Sequence, residues 1–199
     1  MIKQKKHYIL SPDKTRNWAV AWESGGEFDP MCKKCERTIE RRPGGARLPL
    51  VYKVPPGKPH GDVWFHAQEF LVNERAMSAI LKHVSDGISF VKARITSPAG
   101  LYLWSMEVSN RCVMHADCNV QLVEVCQECG DQRYSTWDGG IRIAPCTHDM
   151  FRLIEFSGMI FVSESLKQAL EGENLKNSTF VDADSIHDEF AWMRPKRRE

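Results

Sequence analysis

The sequence predicts an α+β fold in which a mixed or antiparallel sheet carries two main packed helices. Short apolar segments recur along the chain, several of them with the alternation typical of strands. Two amphipathic segments follow Asn73 and Ser163, residue types that favour helix N-caps. The 199 residues are 42% hydrophobic and 27% charged, so the chain has a globular composition and is long enough to bury a core.

The part of the chain before the first helix predicts strands separated by irregular structure. Residues 8–10 and 18–22 are short apolar patches that predict two strands. Residues 32–60 are basic and rich in Pro and Gly, which predicts a loop. Residues 70–72 predict a strand that leads directly into the first helix.

The helices are predicted over residues 73–85 and 163–172. In the first helix, Ala76, Ile80 and Val84 fall on one face, with Met77 and Leu81 beside them. Further strands are predicted at 88–95, 100–109, 120–125, 150–154, 159–162 and 178–182.

An internal repeat is a second feature of the chain. Residues 70–91 align without gaps on residues 160–181, and both stretches read as a strand, a cap, a helix and a strand. We therefore predict two related halves, 1–110 and 111–199, each with one CxxC pair, which together could form one compact domain. The alternative is that any strand–helix–strand unit would align in this way.

Two CxxC pairs carry the clearest chemical signal, Cys32/Cys35 and Cys126/Cys129. Two intervening residues let both thiolates bind one ion from a tight turn, and four thiolates complete a tetrahedral Zn²⁺ site. Gly130 directly follows Cys129 and suits the sharp turn of a zinc knuckle. The sequence therefore predicts a structural Zn²⁺ that joins the two halves across the 90 residues between the pairs.

Three alternatives to this site stay open. One is a redox CxxC at a helix N-terminus, which the turn-like sequence after Cys129 disfavours for the second pair only. Another is a set of buried thiols without metal. The third is a local metal site, whose candidate ligands are Cys112, Cys118, Cys126 and Cys129 with His115 nearby.

Composition and charge exclude several classes of protein. Net charge is only +1, and no apolar run is long enough for a transmembrane helix. The basic N-terminus has no apolar segment typical of a signal peptide, so we expect a cytoplasmic protein. In that compartment seven cysteines favour thiols or metal ligands over disulfides. No familiar catalytic motif is present, and Cys146 and His148 read as surface loop residues.

Several segments together resemble a known family. The segments are MHADC at 114–118, CQECG at 126–130 and HDMFRLIEFSGMIFVSESLKQAL at 148–170. With the earlier CxxC pair, they resemble the double-CxxCG-motif immunity proteins of the myxobacterial swarming-inhibition toxin systems and related polymorphic-toxin immunity families. One departure is Glu36, which stands where the motif has Gly after the first pair.

The resemblance implies a cytoplasmic, non-enzymatic protein that binds and neutralises a cognate protein toxin. Nucleic acid and membrane are not expected partners. The acidic residues 171–190, with six Asp or Glu and one Lys, are a candidate docking stretch for a basic partner. Two other functions stay open. One is a zinc-ribbon nucleic-acid binder that uses the basic residues 32–47, and the other is an enzyme whose catalytic residues are scattered along the chain.

Overall fold

We analysed the protein through a computed structural model. It describes residues 5–15, 22–25, 32–35, 51–54, 56–66, 69–135, 137 and 139–186. Within these ranges the fold is α+β, with mixed sheets and two α-helices, which confirms the predicted fold class. The predicted strand at 18–22 lies outside the described residues except for its last position.

The elements follow one another along the chain as thirteen described strands and two helices. They are β1 (His7–Ser11), β2 (Trp22–Gly25), β3 (Val51–Lys53), β4 (Val63–His66), β5 (Glu69–Val72), α1 (Glu74–His83), β6 (Ile88–Ser97), β7 (Leu103–Val108), β8 (Arg111–Cys112), β9 (Leu122–Val125), β10 (Gln132–Tyr134), β11 (Met150–Leu153), β12 (Phe161–Ser163), α2 (Glu164–Gly172) and β13 (Thr179–Asp182).

The strands form two large sheets and one small one. The six-stranded sheet has the order β2-β3-β6-β7-β5-β4, and the five-stranded sheet has the order β13-β1-β12-β11-β8. Neighbours are antiparallel except for β3 with β6 and β8 with β11, which are parallel. Strands β9 and β10 pair only with each other among the described strands.

The two large sheets share one arrangement of strands. In each, an antiparallel hairpin (β4–β5 or β11–β12) leads through a capped helix to a strand two places away in the sheet. The strand between is β7 in one sheet and β1 in the other. Because β1 comes from the chain's N-terminal part, the five-stranded sheet is built from both sides of residue 110. The predicted division into two related halves stays a prediction.

Alternation along the strands divides the core into three clusters. One face of each large sheet packs against the two helices, where Ile80 and Leu170 are buried. The opposite face of the six-stranded sheet buries Trp64 and Tyr52. The opposite face of the five-stranded sheet is covered by residues between β8 and β11, such as Ile141 and Ile143. This covering segment also carries the second CxxC pair.

Both helices begin as predicted, since their N-caps are local features. The side chain of Asn73 accepts a hydrogen bond from the N–H of Ala76, and that of Ser163 accepts one from Leu166. Leu81, which the sequence places beside the apolar face of α1, is 53% exposed. The predicted loop at 32–60 also contains β3, which is held by β2 on one side and β6 on the other.

Candidate metal centre

The second CxxC pair lies in a tight turn between β9 and β10. The Cys126 N–H donates to the Asp131 carbonyl at 2.8 Å, and the Gly130 N–H donates to the Cys126 carbonyl at 2.8 Å. Gly130 has φ 74°, which is the left-handed conformation expected at this position. The turn therefore places both sulfurs on one side of the connection, and no helix follows it, which argues against a redox CxxC at a helix N-terminus.

The first CxxC pair lies in another turn, formed by residues 33–35. Cys32 and Cys126 are buried, at 4% and 6% exposure, whereas Cys35 and Cys129 are partly exposed. We call Cys32 and Cys126 the inner pair, and Cys35 and Cys129 the rim pair. Each of these pairs therefore contains one residue from each turn.

The two turns bring all four sulfurs together. The Sγ atoms of Cys32 and Cys126 are 3.7 Å apart, and those of Cys35 and Cys129 are also 3.7 Å apart. All four Sγ atoms lie within 4.8 Å of one another. Within the described ranges this is the one cluster of three or more His, Cys, Asp or Glu side chains that could hold a metal ion.

The sulfur positions suit a tetrahedral ion. With Zn–S bonds of about 2.3 Å, the edge of a regular tetrahedron is about 3.8 Å. The two measured separations of 3.7 Å match that edge, and the 4.8 Å limit leaves only a small adjustment for the remaining edges. An all-sulfur ligand set favours Zn²⁺ or an iron–sulfur centre over Mg²⁺ or Ca²⁺. The donor set and its geometry therefore fit the predicted zinc.

The pKa values of the Cys126 and Cys129 thiols are shifted in opposite directions by their surroundings. Backbone N–H groups of Cys129 and Glu128 lower the pKa of the Cys126 thiol to about 7. At Cys129 the N–H of Asp131 also lowers the pKa, but burial and the neighbouring thiols outweigh it and raise the pKa to about 12. Several thiolates in such a small space repel one another, and a bound divalent cation would relieve that repulsion.

The other three cysteines lie outside the cluster. Cys112 and Cys146 form a disulfide bond with a sequence separation of 34. Cys118 is fully buried, and its sulfur accepts a hydrogen bond from the Arg142 N–H at 3.3 Å. The alternative local metal site is therefore wrong. The expectation that the cysteines are thiols or metal ligands rather than disulfides is also wrong for Cys112 and Cys146. After two CxxC pairs are set aside, three cysteines remain, and their spacing does not indicate which two would pair.

Two neighbouring features were not predicted. The Glu128 carboxylate lies 3.8 Å from the Cys32 sulfur. Beside the cluster is a cleft of about 280 Å³, lined by Lys34, Cys35, Glu124, Val125, Cys126, Gln127 and Arg133. Both features depend on how the two turns meet, so no short-range pattern in the sequence could indicate them.

The predicted histidine, His115, does not join the cluster. Its ring caps the short helix 116–118 by accepting a hydrogen bond from the Asp117 N–H. His148 also lies outside the cluster, with its ring 3.7 Å from the carboxylate of Asp86.

No protein-family model and no curated protein matches the chain. Among the described residues, neither α-helix has the length and apolar character needed to cross a membrane.

Proposed function

We propose that Cys32, Cys35, Cys126 and Cys129 bind one structural Zn²⁺, and that the protein is an immunity protein that neutralises a cognate toxin by stoichiometric binding. The observation that carries the proposal is the convergence of two CxxC pairs, 90 residues apart in sequence, on one cluster of four sulfurs. The CxxC motifs are also among the features that carry the resemblance to the double-CxxCG immunity proteins.

The cluster favours a structural role over catalysis. Four thiolates fill the coordination sphere of Zn²⁺, so no position stays open for water or substrate. The inner pair is buried, and the cleft beside the cluster is small for a substrate site. The ion would instead link the turn at 33–35 to the turn at 127–129.

The surroundings of the cluster favour binding to another protein. Strands β9 and β10 stand on either side of the metal turn, and β9 exposes large apolar side chains. These side chains are Leu122, Val123 and Val125, at 51%, 59% and 37% exposure. Exposed apolar groups close together are typical of interaction sites. A metal-braced hairpin of this kind would present a rigid surface, which lowers the entropic cost of binding.

The metal proposal is tested by elemental analysis of protein purified without chelator. We expect about one zinc per chain. Cys126→Ser should lose the ion, whereas Cys118→Ser, at a buried cysteine outside the cluster, should retain it. Stoichiometric zinc in Cys126→Ser, or protein that contains no metal when it is purified without chelator, would contradict the assignment.

The immunity proposal is tested by co-expression with the toxin gene that neighbours the coding gene. Rescue of a sensitive host should track the amount of this protein, because a stoichiometric inhibitor is consumed by its target. The purified pair should bind with nanomolar affinity or better, about −12 kcal/mol. Death of the host at every expression level, with no complex in a pull-down, would refute the proposal.

A second candidate is a zinc-ribbon nucleic-acid binder, which the cationic side chains of Lys34 and Arg133 beside the cluster favour. Binding to single- or double-stranded oligonucleotides that weakens steeply with salt would support it. Arg133 lies 3.9 Å from the Glu124 carboxylate, so part of this positive charge is already balanced within the protein. We therefore rank protein binding first.

A further inference from the structure

The four cysteines of the cluster differ in their access to solvent. The inner pair is almost completely buried, while both members of the rim pair are partly exposed. Cys35 and Cys126 both line the cleft beside the cluster. Because Cys126 is only 6% exposed, a small reagent in solution still reaches the rim pair more readily than the inner pair.

The cleft places cations next to the rim. Lys34 and Arg133 both line it together with Cys35. Positive charge there stabilises the hydroxide that leaves when a sulfur attacks a peroxide. Exposure decides which sulfurs of the cluster a dissolved oxidant reaches first.

We propose that the rim pair is an oxidation site at which a peroxide converts Cys35 and Cys129 into a disulfide, so that the protein releases its zinc. This inference rests on the proposed zinc centre. It adds a chemical regulation of that centre by a small oxidant.

The reaction balances in two steps. The Cys35 thiolate attacks one oxygen of hydrogen peroxide, the O–O bond breaks, and sulfenic acid and hydroxide form. The Cys129 thiolate then attacks the sulfenic sulfur, the S–S bond forms, and a second hydroxide leaves. The two sulfurs together lose two electrons, and the peroxide gains them.

Distance favours Cys129 as the partner of Cys35. Their sulfurs are 3.7 Å apart, so a disulfide of about 2.05 Å needs the two side chains to close by less than about 2 Å. After that step only the inner pair remains as thiolate ligands, and two ligands do not complete a zinc site. The rim disulfide would also keep the two turns linked, so the four sulfurs stay close together. A dithiol that reduces this disulfide would therefore restore the zinc site.

The remaining cysteines provide internal controls. Cys118 is fully buried, with its sulfur in contact with the Arg142 N–H, and should stay reduced. Cys112 and Cys146 are already joined. Cys118→Ser should therefore react with peroxide as the unmodified protein does.

The experiment treats the purified protein with hydrogen peroxide. Zinc is measured before treatment by elemental analysis and during treatment with a chromogenic chelator, and disulfides are mapped by mass spectrometry of non-reduced peptides. We expect one zinc released for each new Cys35–Cys129 disulfide, and rebinding of zinc after dithiothreitol. Replacement of the cations, in Lys34→Gln/Arg133→Gln, should slow release about threefold or more, because the leaving hydroxide loses nearby positive charge.

The outcomes separate the two proposals. If the protein holds no zinc before treatment, the metal centre itself is refuted. If zinc is present but peroxide leaves it bound, or if the disulfides formed are Cys32–Cys35 and Cys126–Cys129, the rim-pair inference is wrong and the metal centre stands.

Discussion

Asp62 joins the start of α1 to the segment after α2, and its removal should strongly destabilise the fold. Its carboxylate is buried and accepts three hydrogen bonds of 2.7 Å. The donors are the Asn73 side-chain amide, the Arg75 guanidinium and the Lys176 backbone N–H. Asn73 caps α1, while Lys176 lies between α2 and β13, so a single carboxylate connects the start of one helix to the segment after the other.

The cost of Asp62→Ala can be worked from these contacts. A hydrogen bond to a charged group contributes about 1.5–3 kcal/mol. Arg75 is half exposed and can be rehydrated, so its share is at the low end or below it. The other two donors would stay partly buried without their acceptor. We expect Asp62→Ala to lower the free energy of unfolding by about 3–4 kcal/mol, and Asp62→Asn by about 2 kcal/mol.

Urea denaturation followed by circular dichroism measures both variants. The matched control is Asp86→Ala, at an exposed carboxylate next to His148, which should change stability by less than about 0.5 kcal/mol. A double-mutant cycle with Arg75→Gln, Asp62→Asn and the combined variant gives the coupling energy between Asp62 and Arg75. If Asp62→Ala loses less than about 1 kcal/mol at an unchanged denaturant slope, this account of how Asp62 joins α1 to the segment after α2 is refuted.

Three further predictions concern single features. Gly130→Ala places an Ala at φ 74°, where a Cβ meets no neighbour but the backbone conformation is strained. It should lower the free energy of unfolding by about 1–2 kcal/mol in urea denaturation, and an unchanged midpoint would contradict the strain argument. Joint replacement of Cys112 and Cys146 by Ala removes a cross-link over 34 residues and should cost about 3–4 kcal/mol, with zinc content unchanged. Burial lowers the pKa of His7 below its ordinary 6.5, so the unfolded state binds the proton more readily. Stability should therefore fall as pH drops from about 6.5 towards the folded-state pKa, and this slope should be smaller in His7→Gln.

Local signals explain what the sequence predicts well. The helices start where Asn73 and Ser163 supply cap acceptors, and their buried faces follow the 3.6-residue period. Ile80, on the predicted face of α1, is 1% exposed, and Leu170 of α2 is 2% exposed. These features depend on residues within a few positions of one another, so a single sequence is sufficient to identify them.

Long-range partners explain what the sequence does not predict. Strand β3 is three residues long, and its Pro-rich surroundings favour a loop; it forms because β2 and β6 offer hydrogen-bonding edges. The place of β1 between β12 and β13 likewise depends on strands some 150 residues away. The disulfide and the Asp62 contacts also join distant segments, and nothing in the local sequence specifies them.

The four-cysteine cluster is the exception, a long-range contact that could be predicted from local spacing. A CxxC pair supplies two ligands in a fixed geometry, and a tetrahedral ion needs four, so two such pairs in one chain favour a shared site. The sulfurs of the two pairs do converge. Metal ligation limits the possible partners of a CxxC pair to other ligand residues. Hydrophobic patterning limits the partners of a strand much less, because a strand can pair with many others.

The burial around the cluster indicates what the proposed metal contributes to stability. Every residue of β9 is exposed, and none of the three core clusters includes a residue of the hairpin β9–β10. Apolar burial therefore does little to hold this hairpin in place, and the link between the two turns must supply most of its order. Chelation should then release the hairpin without melting the body of the protein.

Hydrogen exchange measured with and without a strong zinc chelator tests this directly. Amides at 122–134 should exchange at least about tenfold faster after chelation, while those of α1 and β5 keep their protection, because their side chains lie in the central core. Cys126→Ser should show the fast pattern without chelator, and Cys118→Ser should show the slow pattern until chelator is added. Equal loss of protection across the whole chain would mean that the metal centre supports the global fold. Unchanged exchange at 122–134 would mean that the hairpin is held by contacts other than the metal.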